Sequence, residues 1–254
     1  MTERTYSLAS RVAGHADDER CATLPIVCGR TKLVEIGGLL QRVFFLSYDP
    51  RWDSRFNLKP GQNTLVIRAP GVAEPMRWQF SVPDGSKANG FNARVETIER
   101  AYREPWKKRR CLIVVDGFFE WRQGPAETKG PKVPHLFEPK DRLPYTFAGI
   151  VGEWTSKKTG EIIPACAIVT GPSQGVVREL HTRMPLVVSP TDRDRWLDLG
   201  LEDTRILKSL LNDDAAGYDC RPVSTKLNFG VEGPEVLVLE PPAPPAKGQL
   251  GLFG

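Results

Sequence analysis

The chain has 254 residues, 40% of them hydrophobic, a formal net charge of +4 and five cysteines, Cys21, Cys28, Cys111, Cys166 and Cys220. That length supports one large or two small domains whose core needs no disulfides, and scattered cysteines without a CxxC pair argue against a disulfide framework or structural zinc and for a reducing compartment. No apolar run approaches the roughly 18 to 20 residues that cross a bilayer, no signal-peptide core is present, and so small a charge does not by itself indicate nucleic acid.

Residues 1–26 mix charges without a sustained period and read as a disordered extension or a start outside the mature protein. Residues 34–45 (VEIGGLLQRVFF) suit a short amphipathic helix interrupted by Gly37 and Gly38, and RFNLKPGQNTLVIR reads as a turn at Lys59-Pro60-Gly61 feeding a strand. Short apolar runs bounded by Gly, Pro or Asp predict buried strands at 76–80, 110–115, 145–151 and 165–170. Charged residues at helical spacing predict helices over 95–107, 173–180 and 191–199, the last two opening on Pro-Ser and Pro-Thr as cap signals. The sum is an α+β fold, a mainly antiparallel β core flanked by helices. After Leu239 the run EPPAPPAKG is an extended linker, leading to QLGLFG.

Polar residues interrupt apolar or turn-like contexts in four segments: Val27-Cys28-Gly29-Arg30, GFNARVET from Gly90, DGFFEW from Asp116, and LHTRMP from Leu180. Each alone has a structural explanation: a small core cysteine, a turn-forming Asn92, a strand-end Glu120, a satisfied His181. In this order, with FNLKPG between the first two and HTRMPLVVSP completing the last, they resemble the SOS-response-associated peptidase (SRAP) family from Cys28 to about residue 223.

The resemblance implies one SRAP domain, here residues 27–236, which binds single-stranded DNA and crosslinks to abasic sites through an amino-terminal cysteine. An opened abasic sugar is an aldehyde, and only an N-terminal cysteine offers it an amine and a thiol able to close a thiazolidine. An α-amine near pKa 7.7 to 8.0 is roughly a quarter to two fifths unprotonated at pH 7.5, against about one part in a thousand for lysine. By motif position Asn92 would hold the amine or sugar, Arg94 the flanking phosphate, Glu120 would shuttle a proton, and His181 would help open the sugar and assist reversal. Arg30, Arg183 and the basic stretch with Lys107, Lys108 and Arg109 would contact phosphates. Gln249-Leu250-Gly251-Leu252-Phe253, in the tail 237–254, resembles the QLxLF peptide that docks on the bacterial sliding clamp. The expected protein is a cytoplasmic, nucleoid-associated monomer with no cofactor, metal or membrane partner.

Two features depart from the family pattern. Val27 stands where the family has its initiator methionine, so the chemistry requires that Val27 mark the true start, as the nominal translation of a GUG codon, or that the chain be cleaved before Cys28. WQFSVPDGSKANGF lacks the tryptophan pair found before Asn-Ala-Arg in many members, leaving Phe80 or Phe91 to stack on bases. Three other readings compete. A serine hydrolase would use Gly171-Pro172-Ser173-Gln174-Gly175 as a nucleophile elbow, but needs a histidine well downstream. A thiol peptidase or amidase would use Cys28 with His181 or Glu120 as base and Asn92 at the oxyanion. A noncatalytic module would keep only DNA or clamp binding.

Overall fold

The computed structural model describes residues 29–81, 90–122, 132–212 and 217–239. The extension 1–26, Cys28, most of the segment expected to carry the tryptophan pair, the linker from residue 240 and the clamp-like peptide lie outside the described residues.

The chain opens with β1 (Thr31–Leu33) and the short helix α1 (Leu39–Val43), which starts after Gly37 and Gly38, both at positive φ. β2 (Arg55–Leu58) turns through Lys59-Pro60-Gly61 into β3 (Asn63–Ala69), with Gly61 at φ 92°, and β4 (Val72–Trp78) pairs back on it. β5 (Asn92–Arg94) leads into α2 (Ile98–Ala101) and α3 (Arg103–Lys108). The single helix expected over 95–107 therefore breaks, at Tyr102 (φ −141°, ψ 44°). Pro105 explains the break: it has no N–H to give the Ala101 carbonyl, but fits the first turn of a new helix, where that donor is unpaired anyway.

Then follow β6 (Arg110–Val115), β7 (Gly117–Trp121), β8 (Pro134–Pro139), β9 (Tyr145–Thr155) and β10 (Ile162–Pro172). Of the four expected strands, 110–115 is found as read, 145–151 and 165–170 lie within longer strands, and 76–80 is shifted, β4 starting at Val72 and ending at Trp78. The helix expected at 173–180 is instead a 3₁₀ turn, Gly175–Glu179, because the Ser173 hydroxyl bonds the His181 carbonyl (2.5 Å) and caps nothing. β11 (Arg183–Pro185) and β12 (Val187–Val188) precede a 3₁₀ turn at Pro190–Asp192 that runs into α4 (Arg193–Leu197). α5 (Thr204–Ser209), β13 (Leu211–Asn212) and β14 (Tyr218–Pro222) complete the regular elements, and 3₁₀ turns follow at Thr225–Phe229 and Pro234–Leu237.

One sheet has the order β14-β8-β7-β1-β2, antiparallel throughout. In the other, β3, β4, β10, β9 and β6 pair in a closed circuit, antiparallel except where β10 runs parallel to β4, and β5 also joins β10 in parallel. Every residue of β6 is buried, and alternate side chains serve two cores. Leu112 and Val114 join the cluster covered by the helices, with Leu65, Trp106 and Trp196, whereas Cys111, Ile113 and Val115 join one shared with Phe118 and Phe137 of the first sheet. A third, smaller cluster lies on the opposite side of the first sheet, where Phe119 and Leu136 meet Val223, Leu227 and Val236. Among the described residues no helix is long and apolar enough to cross a membrane.

Candidate functional site

The first described residue, Gly29, is buried. β1 pairs with β7 at Thr31↔Phe118 and Lys32↔Gly117, and the Phe119 N–H donates to the Arg30 carbonyl (3.1 Å), which continues the register. Extended by one more residue, that register would bring Gly29 opposite Glu120. On β7, Phe118 enters the inter-sheet cluster and Phe119 the outer one, so alternation turns Glu120, 1% exposed, toward the second sheet.

Across that cluster, Asn92 pairs with Ile168 and Arg94 with Thr170 on β10. Ile168 belongs to the inter-sheet cluster and Val169 to the helix-covered one, so Asn92 shares the face turned toward the first sheet. Arg94, two residues on, lies on the same face and is exposed. Leu180 and Met184, flanking the His181 turn, complete the cluster. Glu120 and Asn92 thus face one inter-sheet core, and His181 lies in the turn between two of its members.

His181 is 4% exposed, and its backbone is fixed by bonds from its own N–H to the Val177 carbonyl (2.9 Å) and from the Ser173 hydroxyl to its carbonyl. Its Nδ1 lies 3.2 Å from the Arg183 N–H and 3.1 Å from the Arg183 carbonyl. Neutral imidazole with Nδ1 bare accepts from the former; a protonated Nδ1 donates to the latter. Burial first, and then the Arg183 charge, push the pKa of His181 below its ordinary value, against the effect of the carbonyl, so the neutral form is favoured at pH 7. Its Nε2 has no hydrogen-bond partner among the described residues.

Arg30 bonds Gly29's carbonyl (2.8 Å), and burial lowers its pKa. Arg183 is held by the Glu96 carboxylate (2.7 and 3.0 Å) and the Thr170 carbonyl (2.9 Å). The basic stretch is not brought to the same place. Trp106 packs in the helix-covered cluster, on the face away from Asn92; Lys108 pairs with Glu202, and Arg109 with Glu104. Arg110 is fully buried and spent on carbonyls.

Two expectations are corrected. Phe80 and Phe91 are 6% and 8% exposed, Phe80 packed edge-on against Tyr102 and Phe91 against Trp78, so neither offers a ring face to a base. The serine-elbow reading fails because the Ser173 hydroxyl meets the His181 carbonyl, not its imidazole. Sequence reasoning also missed Ser173 and Glu96 as braces of the histidine turn. The only available signal was their place beside the HTR and NAR motifs.

Against known families, residues 27–229 match the model for the SOS response associated peptidase. The chain belongs to the SRAP family. Among curated relatives it is 28% identical over 216 residues to the abasic site processing protein YoqW of Bacillus subtilis, covering 80% of this chain and 94% of that one. It is 27% identical to the abasic site processing protein YedK of Escherichia coli, covering 60% and 68% of the two chains. A crystal structure of a Bacteroides thetaiotaomicron protein shares the fold, with a TM-score of 0.69 and 20% identity over 84% of this chain and all of that one.

Proposed function

We propose that this SRAP protein processes abasic sites in single-stranded DNA, capturing them covalently through Cys28 once that residue is an amino terminus. The observation that carries the reading is the bond from the Phe119 N–H to the Arg30 carbonyl, which continues the β1–β7 register; extended by one residue, that register would bring Gly29, bonded directly to Cys28, opposite buried Glu120, across the core from Asn92 and the His181 turn. Two further findings support it: the family match begins at residue 27, and the relatives are named abasic site processing proteins.

In this reading the Cys28 amine attacks C1′ of the opened sugar and water leaves, giving a Schiff base. The thiol then adds to the imine carbon while the nitrogen takes up a proton, so the net change is loss of one water on forming the thiazolidine. Asn92 hydrogen-bonds the amine or the sugar hydroxyl, Glu120 carries the proton between steps, and His181, neutral at pH 7, opens the sugar and returns a proton on reversal. Arg94, exposed at the end of β5, takes the flanking phosphate, and Arg30 and Arg183 contribute further phosphate contacts; Lys107, Lys108 and Arg109 touch only more distant strand. Hydrolysis of the Val27–Cys28 bond, which suits a peptidase name, or a start at position 27 decoded as methionine followed by hydrolytic removal of that methionine, frees the amine. The tail residues Gln249, Leu250, Leu252 and Phe253 dock on a sliding clamp and bring the protein to replicating DNA in the cytoplasm.

The test is a denaturing gel of protein begun at Met-Cys28 with single-stranded DNA carrying one abasic site. A heat-stable shifted band that is lost in Cys28→Ala is expected. Intact DNA binding without a band in the parent overturns the covalent reading.

A further inference from the structure

Glu96 has no role in the chemistry described above, yet it ties together the two elements that bear the site. It sits in the turn after β5, two residues beyond Arg94. Its carboxylate grips the Arg183 guanidinium through both oxygens, 2.7 and 3.0 Å, although the two residues are 87 apart in sequence. The same guanidinium donates to the Thr170 carbonyl (2.9 Å), which also accepts the Val95 N–H (3.0 Å). The Thr170 carbonyl is therefore a node shared by β5, β10 and the histidine turn. The Arg183 side chain is 13% exposed and that of Glu96 43%, so the pair is half-buried and its two-oxygen geometry, more than burial, sets the orientation. At its other end, the backbone of Arg183 supplies both the N–H and the carbonyl that face His181 Nδ1.

We propose that Glu96 is a positioning residue: by clamping Arg183 it fixes the orientation and tautomer of His181 relative to Asn92 and Arg94. Clamped, Arg183 keeps its N–H on Nδ1, so the proton of neutral His181 resides on Nε2, the nitrogen without a partner among the described residues. That is the atom left to deliver a proton to a bound sugar. Released, Arg183 is held only by its backbone, at the last pair of β11 with β10 and by the Ser173 N–H on the Thr182 carbonyl, and a small shift there is enough for Nδ1 to bond the carbonyl, already 3.1 Å away, in place of the N–H, which admits the opposite tautomer. The catalytic part of this inference rests on the role given to His181 above; the tautomer part does not.

The chain has three histidines, His15, His135 and His181, so ¹⁵N-histidine NMR of the full chain resolves the tautomer directly. His181 of the parent protein should show Nδ1 bare and Nε2 protonated at neutral pH. Glu96→Gln and Glu96→Ala should give a mixture of tautomers and Glu96→Asp should restore most of the parent signal, with unchanged His135 shifts reporting that each variant is folded. With protein begun at Met-Cys28 and saturating abasic DNA, the single-turnover crosslinking rate of Glu96→Gln should fall about ten- to a hundredfold, as for a misplaced reacting group. An unchanged His181 tautomer in the folded variants overturns the proposal, whether the rate is normal or DNA affinity alone has fallen. If the parent itself forms no crosslink, the covalent reading fails, and the NMR result still decides the clamp.

Discussion

Replacing Arg110 with alanine should destabilise the protein without touching DNA affinity. Its guanidinium bonds four carbonyls: Trp196 (2.7 Å), Trp106 (3.1 Å), Lys107 (2.6 Å) and Asp198 (2.5 Å). It also lies 5.7 Å from the centre of the Trp196 ring. These are the closing carbonyls of α3 and of α4, so one side chain locks two helix ends against β6. Hydrogen bonds to a charged group are each worth about 1.5 to 3 kcal/mol, but a plain sum overstates the loss, because carbonyls at helix ends rehydrate in part. A net cost of about 3 to 4 kcal/mol is the reasonable expectation, near the low end for breaking a buried charged network. With a urea slope of about 1 to 3 kcal/mol per molar, the midpoint should fall by at least about 1 M. Arg110→Lys keeps the charge but has three donors and no planar fork, and should recover about half of the loss. Urea unfolding followed by tryptophan fluorescence gives the midpoints, and anisotropy with labelled single-stranded DNA gives affinity. A parent-like midpoint with weakened DNA binding would refute the carbonyl-lock argument and point to Arg110 as a phosphate contact instead.

Other outcomes can be checked in parallel. Arg94→Gln should lower the slope of log affinity against log salt by about 0.7, the share of one phosphate on a single strand, whereas Lys108→Gln with Arg109→Gln should change it by less than half as much. The Arg183 hydrogen bond holds the Glu96 carboxyl below the usual glutamate range. Because the folded-state pKa is the lower one, this pair stabilises the fold above the ordinary glutamate pKa and the contribution is lost as pH falls through the depressed value; Glu96→Gln should flatten that acid limb in thermal melts. At Gly149 an added Cβ would lie 2.7 Å from the Cys111 sulfur and 2.9 Å from Ile113, so Gly149→Ala should cost about 1 to 3 kcal/mol in urea unfolding. Ser173→Ala, which deletes the bond to the His181 carbonyl, should cost about 1 kcal/mol in the same assay.

What the sequence made legible follows from which signals are local. The run RCLIVV reads as a strand because every position of β6 is buried, whereas the helix expected over 34–45 is confined to α1 after Gly37-Gly38, because both glycines take positive φ and end any helix before them. The helix over 95–107 was overextended because charge spacing ignores what Pro105 cannot donate. The turn at 173–180 was misread because a Pro-Ser cap signal does not say that the serine hydroxyl will bond a backbone carbonyl eight residues later. Asn92, Glu120 and His181 were legible only as members of ordered motifs. Neither period nor propensity shows that sheet pairing will set them around one core. The neutralisation of Lys108 by Glu202, and of Arg183 by Glu96, joins residues about ninety apart, beyond the reach of any local pattern.

The closed circuit of β3, β4, β10, β9 and β6 also bears on which parts of the molecule can open independently. Within the ring, strands have neighbours on both sides, so their amides should exchange with solvent only when the whole domain unfolds. β5 and β11 attach to the last few residues of β10, where Ile168, Thr170 and Pro172 pair with Asn92, Arg94 and Arg183. Amide exchange should therefore divide the protein into a slow ring and a faster annex, with Asn92 and His181 carried on the annex. In the proposed function, such a division would let β5 and the His181 turn rearrange around a nucleic acid strand while the ring that aligns them stays intact.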